Sequence, residues 1–300
     1  MLPFALVVPT LNPGPEWSTW LAALQRQTAK PEPLLIIDSS SDQGPTLPPR
    51  QGGYELITVP RESFDHGATR QQAFESLQDR VAIVVFMTQD AILSDPTALE
   101  RLISAFDDPT IAAAYGRQHP HPGAGPIAAH ARLFNYGPSS IVKQLTDRDR
   151  LGLKTCFLSN SFAAYRSHDL AAIGGFPATH FGEDMLVAAR LLLQQRRIAY
   201  VGDAGVYHSH DYTLKEEFLR YHATGRMHAQ HPWLLQAFGG VTGEGTQFVL
   251  SEIRYLLKHA PHLLPAAGLR TLAKYAGYRS GRSGFQPWLA ESTNPTTPPP

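Results

Sequence analysis

Apolar positions along this chain fall into two alternating patterns. Val81–Phe86 is an unbroken run of six apolar residues, and Phe4–Pro9 and Leu34–Ile37 are runs of the same kind. Such runs suit strands buried on both faces, as in a parallel sheet. Tyr54–Val59, a weaker run, and Ile111–Tyr115 and the short Ile198–Val201 predict further strands. Between the runs, apolar residues recur at helical spacing. Trp17, Trp20, Leu21 and Leu24 share one face, as do Ala73, Phe74 and Leu77, and then Leu99, Leu102, Ile103 and Phe106. Pro96 suits the first position of the helix that follows Ser94-Asp95. Strand and helix in alternation predict an α/β fold with a mostly parallel central sheet flanked by helices.

From Leu214 onward only the helical spacing remains, which predicts a C-terminal helical extension. The expected organisation is one sheet domain over 1–213, a helical region over 214–290, and a Pro- and Thr-rich disordered tail over 291–300. Gly116–Gly137, rich in Gly, Pro and His, reads as a mobile loop. His119, His121 and His130 lie there at spacings that match no compact metal site.

Where the buried runs stop, polar residues follow. The first ends at Thr10, the second at Asp38, and Val81–Phe86 runs into Met87-Thr88-Gln89-Asp90. The carboxyl ends of strands in open α/β sheets are where ligands bind. On its own, Asp90 is equally a turn acid or a cation ligand. Phe64-Asp-His-Gly-Ala-Thr-Arg70 opens a helix; Gly67 would allow a ligand close to the backbone there, and the helix start would suit phosphate. Glu183 and Asp184 open another helix, as caps or as chemistry. His208 and His210, two apart, face one way if the segment is extended.

Composition narrows the classes. Of 300 residues, 43% are hydrophobic and 17% charged, and 26 Lys+Arg balance 26 Asp+Glu. No global basic field points to nucleic acid. One cysteine, Cys156, cannot form an internal disulfide and fits a reducing compartment. The first residues have no basic stretch before a long apolar run, so no signal peptide is expected, and no window nears 18 apolar residues. A cytoplasmic protein is expected, with a peripheral position at the inner face of the cell membrane as an option. Between Ile253 and Ala290 there are six Lys/Arg and no Asp or Glu. That basic amphipathic segment would lie against anionic lipid, or pack on the main domain or a second subunit. No Gly-x-Gly-x-x-Gly follows the first strand, which argues against a dinucleotide oxidoreductase.

Taken together the motifs resemble inverting family 2 glycosyltransferases of the GT-A fold. The carrying residues are Val7-Val-Pro-Thr-Leu-Asn12, Ile37-Asp38, Thr88-Gln-Asp90 in place of Asp-x-Asp, and Gly182-Glu-Asp184. Within that family, Phe64–Arg70, Phe86–Ala91 and Val206-Tyr-His-Ser-His-Asp-Tyr212 are most similar to bacterial rhamnosyltransferases, and Lys274–Tyr278 more loosely so. The resemblance covers roughly residues 2–282. It implies that Asp184 is the catalytic base and that Thr10, Asp38, His66, Arg70 and Gln89 face the nucleotide sugar. It implies that Asp90, with His208 or His210, binds Mg²⁺ or Mn²⁺. The implied donor is dTDP-L-rhamnose and the implied acceptor a lipid-linked or cell-surface glycan such as O-antigen, without nucleic acid and with homo-oligomerisation open. Thr88, where the first acid would stand, puts the donor contacts in doubt. A UDP-hexose donor, or an inactive nucleotide-sugar-binding module, are the alternatives.

Overall fold

The apolar runs pair edge to edge in one sheet. Its strands are β1 (Phe4–Thr10), β2 (Leu34–Asp38), β3 (Glu55–Thr58), β4 (Ile83–Met87), β5 (Ile92–Leu93), β6 (Ile111–His119), β7 (Ile141–Lys143), β8 (Phe162–Arg166) and β9 (Arg197–Tyr207). They lie in the order β3-β2-β1-β4-β8-β6-β9-β5, with β7 against β9. The computed structural model describes residues 2–47, 53–240 and 243–285. The tail expected over 291–300 lies outside them.

The mixed α/β architecture follows the expectation, with one refinement. Strands β3, β2, β1 and β4 form a run of parallel neighbours. β8 is antiparallel to β4 and to β6, and β9 is antiparallel to β5 and to β7. The difference matters for the site. An antiparallel strand enters the sheet where its parallel neighbours leave it, so the chain leading into β8 lands on the same rim as the end of β4. Met87, last in β4, pairs with Phe162, first in β8.

The residues of β1, β2 and β4 are almost all fully buried, which is why their sequences do not alternate. Helix Glu16–Gln25 turns Trp17, Trp20, Leu21 and Leu24 into this core, and the two indoles stack at 4.8 Å. Each such side chain, fully buried, contributes roughly 1.5–3 kcal/mol.

Two segments differ from expectation. Gly116–Gly137 is not a loop throughout: β6 continues to His119, and Pro126–Asn135 is a helix with Pro126 in its first turn. Pro and Gly, read there as breakers, serve as a helix start and as the turn between the elements. The strand expected over 198–201 runs on to Tyr207, because Gly202 admits the carbonyl of Pro138 where any Cβ would collide.

Chain contacts divide the molecule into two units. The first comprises Met1–Gln118, Gly137–Asp147 and Thr155–His208 and holds the sheet. The second comprises His119–Tyr136, Arg148–Lys154 and Ser209–Pro300. Within the second, a Thr213/Glu216 capping box starts helix Leu214–Gln230. Helix Leu264–Arg282 lies directly along it, because Gly277 and Gly281 have no Cβ to meet the carbonyls of Phe218 and His222. His130, one of the three histidines of the presumed loop, packs in this unit against Phe134, Phe248 and Tyr255 and reaches Ser251 Oγ at 3.0 Å.

Candidate active site

The candidate site lies in the first unit, where the strand ends of the rim converge. Register puts Thr10 directly opposite Asp38. Thr10 Oγ1 donates to Asp38 Oδ1 at 2.8 Å, and Ser41 adds its hydroxyl to Oδ1 at 2.6 Å and its N–H to Oδ2 at 2.8 Å. Both Thr10 and Asp38 are buried, so this cluster fixes the mouth between β1 and β2. Gln89, just beyond β4, braces the same mouth. Its amide accepts from Leu11 N–H at 2.9 Å and donates to Leu11 C=O at 3.2 Å. Beside it, the Thr88 hydroxyl oxygen is buried and makes no hydrogen bond among the described residues.

Asp90 follows one residue beyond Gln89, and across the rim β9 ends at Tyr207. His208 Nε2 lies 3.3 Å from Asp90 Oδ2. The other ring nitrogen, Nδ1, lies 3.0 Å from Gln118 Oε1, and Gln118 Nε2 donates to Ser159 Oγ at 3.0 Å. With the Gln118 oxygen toward the imidazole, Nδ1 is the donor of this pair. Nε2 then presents a lone pair to a carboxylate oxygen. Two lone pairs at this distance call for a proton or a cation between them, and a carboxylate with an imidazole is a donor set that accepts Mn²⁺ or Mg²⁺. Such outer support of a ligating histidine is characteristic of metal sites. His210 comes two residues later in the second unit, no more than about 7 Å along the chain.

The segment Ser159-Asn160-Ser161 joins this pair to the expected base. Ser159 holds Gln118, Thr88 N–H donates to Ser161 C=O at 3.4 Å, and Asn160 N–H donates to Asp184 Oδ2 at 3.3 Å. Asp184 stands in the first turn of helix Glu183–Leu193, and Gly182 at its cap has φ +79°, in the left-handed region. Burial, together with the Glu183 charge beside it, pushes the Asp184 carboxyl up to about 7. A carboxylate poised there is suited to take a proton near neutral pH.

Glu183 points elsewhere. Its Oε1 receives Arg70 Nη1 at 3.0 Å and Asn160 Nδ2 at 2.9 Å, while Tyr165 O–H donates to Asn160 Oδ1 at 2.6 Å. Arg70 also donates to His66 C=O at 3.0 Å and lies 3.3 Å from His66 Nδ1. Burial and the Arg70 charge push His66 down to about 4, so its ring is neutral.

Helix His66–Leu77 departs from the expected phosphate cradle. Gly67 N–H donates to Thr179 C=O at 3.1 Å and Ala68 N–H to the capping carboxylate of Asp65 at 2.8 Å. The space beside Gly67 is filled by the Pro177 carbonyl. The glycine admits another stretch of this chain, and the amides of Gly67, Ala68 and Thr69 are already used.

The expected residues thus form three groups: Thr10, Asp38 and Gln89; Asp90 and His208; Asp184 with its Glu183–Arg70–His66 neighbours. Gln118, Ser159, Asn160 and Tyr165 were not singled out individually from the sequence. Asn160 sits in the polar centre of Phe157–Tyr165, which was a usable signal; Gln118 sat inside the supposed loop and offered none.

Known proteins resemble this chain in sequence and in fold. The sequence profile described as Glycosyl transferase family 2 matches residues 5–174. The O-antigen chain rhamnosyltransferase WbaN of Salmonella anatum is 47% identical over 281 residues, spanning 93% of this chain and 89% of its own length. The O-antigen chain rhamnosyltransferase RfbN of Salmonella typhimurium is 46% identical over 279 residues, spanning 92% and 88%. Among solved structures, the mannosyltransferase PcManGT from Pyrobaculum calidifontis, in complex with GDP-Man and Mn²⁺, superimposes with a TM-score of 0.58 at 16% identity, over 94% of this chain and 83% of that one. TarS 1-349 of S. aureus, in complex with UDP-GlcNAc, does so with a TM-score of 0.53 at 15% identity, over 94% and 91%. At such identity these structures speak for the fold alone. A profile match over more than half of the chain, and near-full-length relatives close to half identical, make it a member of glycosyl transferase family 2.

Proposed function

We propose that this enzyme transfers L-rhamnose from dTDP-L-rhamnose, with inversion, to a hydroxyl of a lipid-linked or cell-surface glycan of the O-antigen kind. The rhamnosyl assignment is supported by the two relatives named as O-antigen chain rhamnosyltransferases. The chemistry is carried by one observation: Asp184 is hydrogen-bonded to Asn160, the adjacent Ser159 to Gln118, and Gln118 to His208, whose ring lies 3.3 Å from Asp90. Base and cation ligands on one braced rim are what this transfer requires.

In this reading Thr10 and Asp38 hold the nucleoside, and the buried, unpaired Thr88 hydroxyl takes a donor hydroxyl where the family's first acid would stand. His66 and Arg70 belong to the wall on the phosphate side. Asp90 and His208, with His210 within tether reach, hold Mg²⁺ or Mn²⁺. When bound, that cation supplies positive charge for the departing diphosphate. Asp184 accepts the proton of the acceptor hydroxyl as its oxygen forms the new bond to the anomeric carbon. The old bond to the diphosphate breaks, and its electron pair leaves with dTDP. The glycosyl-transfer domain is taken as residues 1–213, and the expected helical region over 214–290 is described only over 214–240 and 243–285.

The test is calorimetric titration with dTDP and with UDP, each with and without Mn²⁺, followed by a transfer assay with dTDP-L-rhamnose. Tight, Mn²⁺-dependent dTDP binding and release of dTDP on transfer are expected. Strong binding of UDP with none of dTDP would sink the rhamnose assignment.

A further inference from the structure

The outer faces of two helices in the second unit are apolar and carry only positive charge. In Glu244–His259, Leu250, Ile253 and Leu257 are 49%, 40% and 58% exposed and recur at three- and four-residue steps, so they form one stripe. Arg254 and Lys258, also exposed, run beside it. In Leu264–Arg282, Leu269, Leu272 and Tyr275 are 55%, 66% and 65% exposed, and exposed Arg279 and Arg282 continue that face toward the helix end.

The opposite face of this last helix is fully employed. Gly277 and Gly281 press on helix Leu214–Gln230, and Arg270 and Lys274 reach Glu217 at 3.6 and 3.5 Å. Basic residues on the inner face therefore have an acidic partner within the unit. Those on the outer face share it with leucines and a tyrosine, and from Ile253 to Phe285 the chain has no Asp or Glu at all. Packing explains the inner face; it does not explain large apolar side chains left open beside unopposed positive charge.

We propose that these two faces dock on an anionic lipid bilayer. Leucines and isoleucine would enter the headgroup boundary, Tyr275 would sit at the interface where its ring is apolar and its hydroxyl wet, and Arg and Lys would meet lipid phosphate. No described helix is long and apolar enough to cross a membrane, so the contact is peripheral. The charge pattern disfavours a second copy as the occupant. A two-fold interface sets a patch against itself, and here that would face Arg and Lys with Arg and Lys without one acid to pair them. The inference does not depend on which sugar nucleotide the first unit takes.

The test uses the full chain and extruded vesicles of phosphatidylcholine with or without phosphatidylglycerol. Co-sedimentation with the anionic vesicles only, weakening as salt is raised, is the expected result. Arg279→Glu/Arg282→Glu should lower the bound fraction about tenfold or more at equal lipid, and Leu272→Ser/Tyr275→Ser should lower it as well. Circular dichroism and dTDP titration of each variant confirm an intact fold and separate this result from donor binding. Protein that stays in the supernatant with both vesicles overturns the proposal. So does equal binding to both, or a concentration-dependent dimer in sedimentation equilibrium that Leu272→Glu abolishes.

Discussion

Arg70 Nη1 lies 3.0 Å from Glu183 Oε1, and the two side chains are only 4% and 7% exposed. This ion pair ties helix His66–Leu77 to helix Glu183–Leu193, and so ties the motif expected to face the nucleotide to the helix that carries the proposed base. Removing one partner strands a buried charge. Arg70→Met or Glu183→Gln should each cost about 3–5 kcal/mol in urea denaturation. The double change Arg70→Met/Glu183→Leu should cost less than the sum of its parts, since it leaves no charge alone. Unchanged urea midpoints in both single variants would show that the pair contributes nothing to holding these helices.

Asp184 gives a pH dependence of definite sign. Its carboxyl is raised from 3.8 to about 7, so the folded protein keeps a proton that the unfolded chain releases. Stability associated with this group is therefore fully present below about pH 4 and is lost as pH rises to about 7. Asp184→Asn removes that loss, and should stabilise the protein at mildly alkaline pH by up to a few kcal/mol, on the order of the shift itself, with little effect at acidic pH. Transfer by the wild type should rise with pH to a plateau just above about 7. Asp184→Asn should abolish transfer while donor binding persists. A wild-type kcat/KM that is flat across this range would remove Asp184 as the base.

Gln118 should matter without touching a ligand. It meets His208 Nδ1 at 3.0 Å, leaving Nε2 toward Asp90, where the cation is proposed to bind. Gln118→Met should weaken Mn²⁺-dependent dTDP binding roughly 10–100-fold, as loss of outer support does at other metal sites. Asp90→Ala and chelator should act in the same direction. If dTDP affinity is the same with and without metal, the cation has no part in donor binding.

Tyr165 offers a finer probe. Its hydroxyl holds Asn160 Oδ1 at 2.6 Å, which directs the amide nitrogen to Glu183 and keeps the Asn160 backbone N–H near Asp184. Tyr165→Phe should cost about 1 kcal/mol of stability. It should lower kcat severalfold and shift the pH profile while leaving the donor KM alone. A change in KM with an unaltered pH profile would assign Tyr165 to binding instead.

Much of this was legible from residue order. Continuous apolar runs located β1, β2 and β4, because strands covered on both faces need no polar alternation. Helical spacing located Trp17, Trp20, Leu21 and Leu24, because a helix packed on a sheet repeats its buried face every three to four residues. Asp38, Asp90 and His208 after buried strands, and Asp184 at a helix start, fit turns and caps equally well one by one; the motifs they belong to singled them out.

What the order of residues left undecided is who meets whom. Gly67 announced a close approach, but only the folded chain shows that the Pro177 carbonyl makes it. Arg70 looked available to phosphate until Glu183, 113 positions later, claimed it. Gln118 had no local signature, since its role exists only when β6 and β9 bring it against His208, 90 residues away. Local pattern reports burial and backbone preference, which each residue carries with it. Partnership across the sheet depends on strand order and register, and those are set by the packing of the whole core.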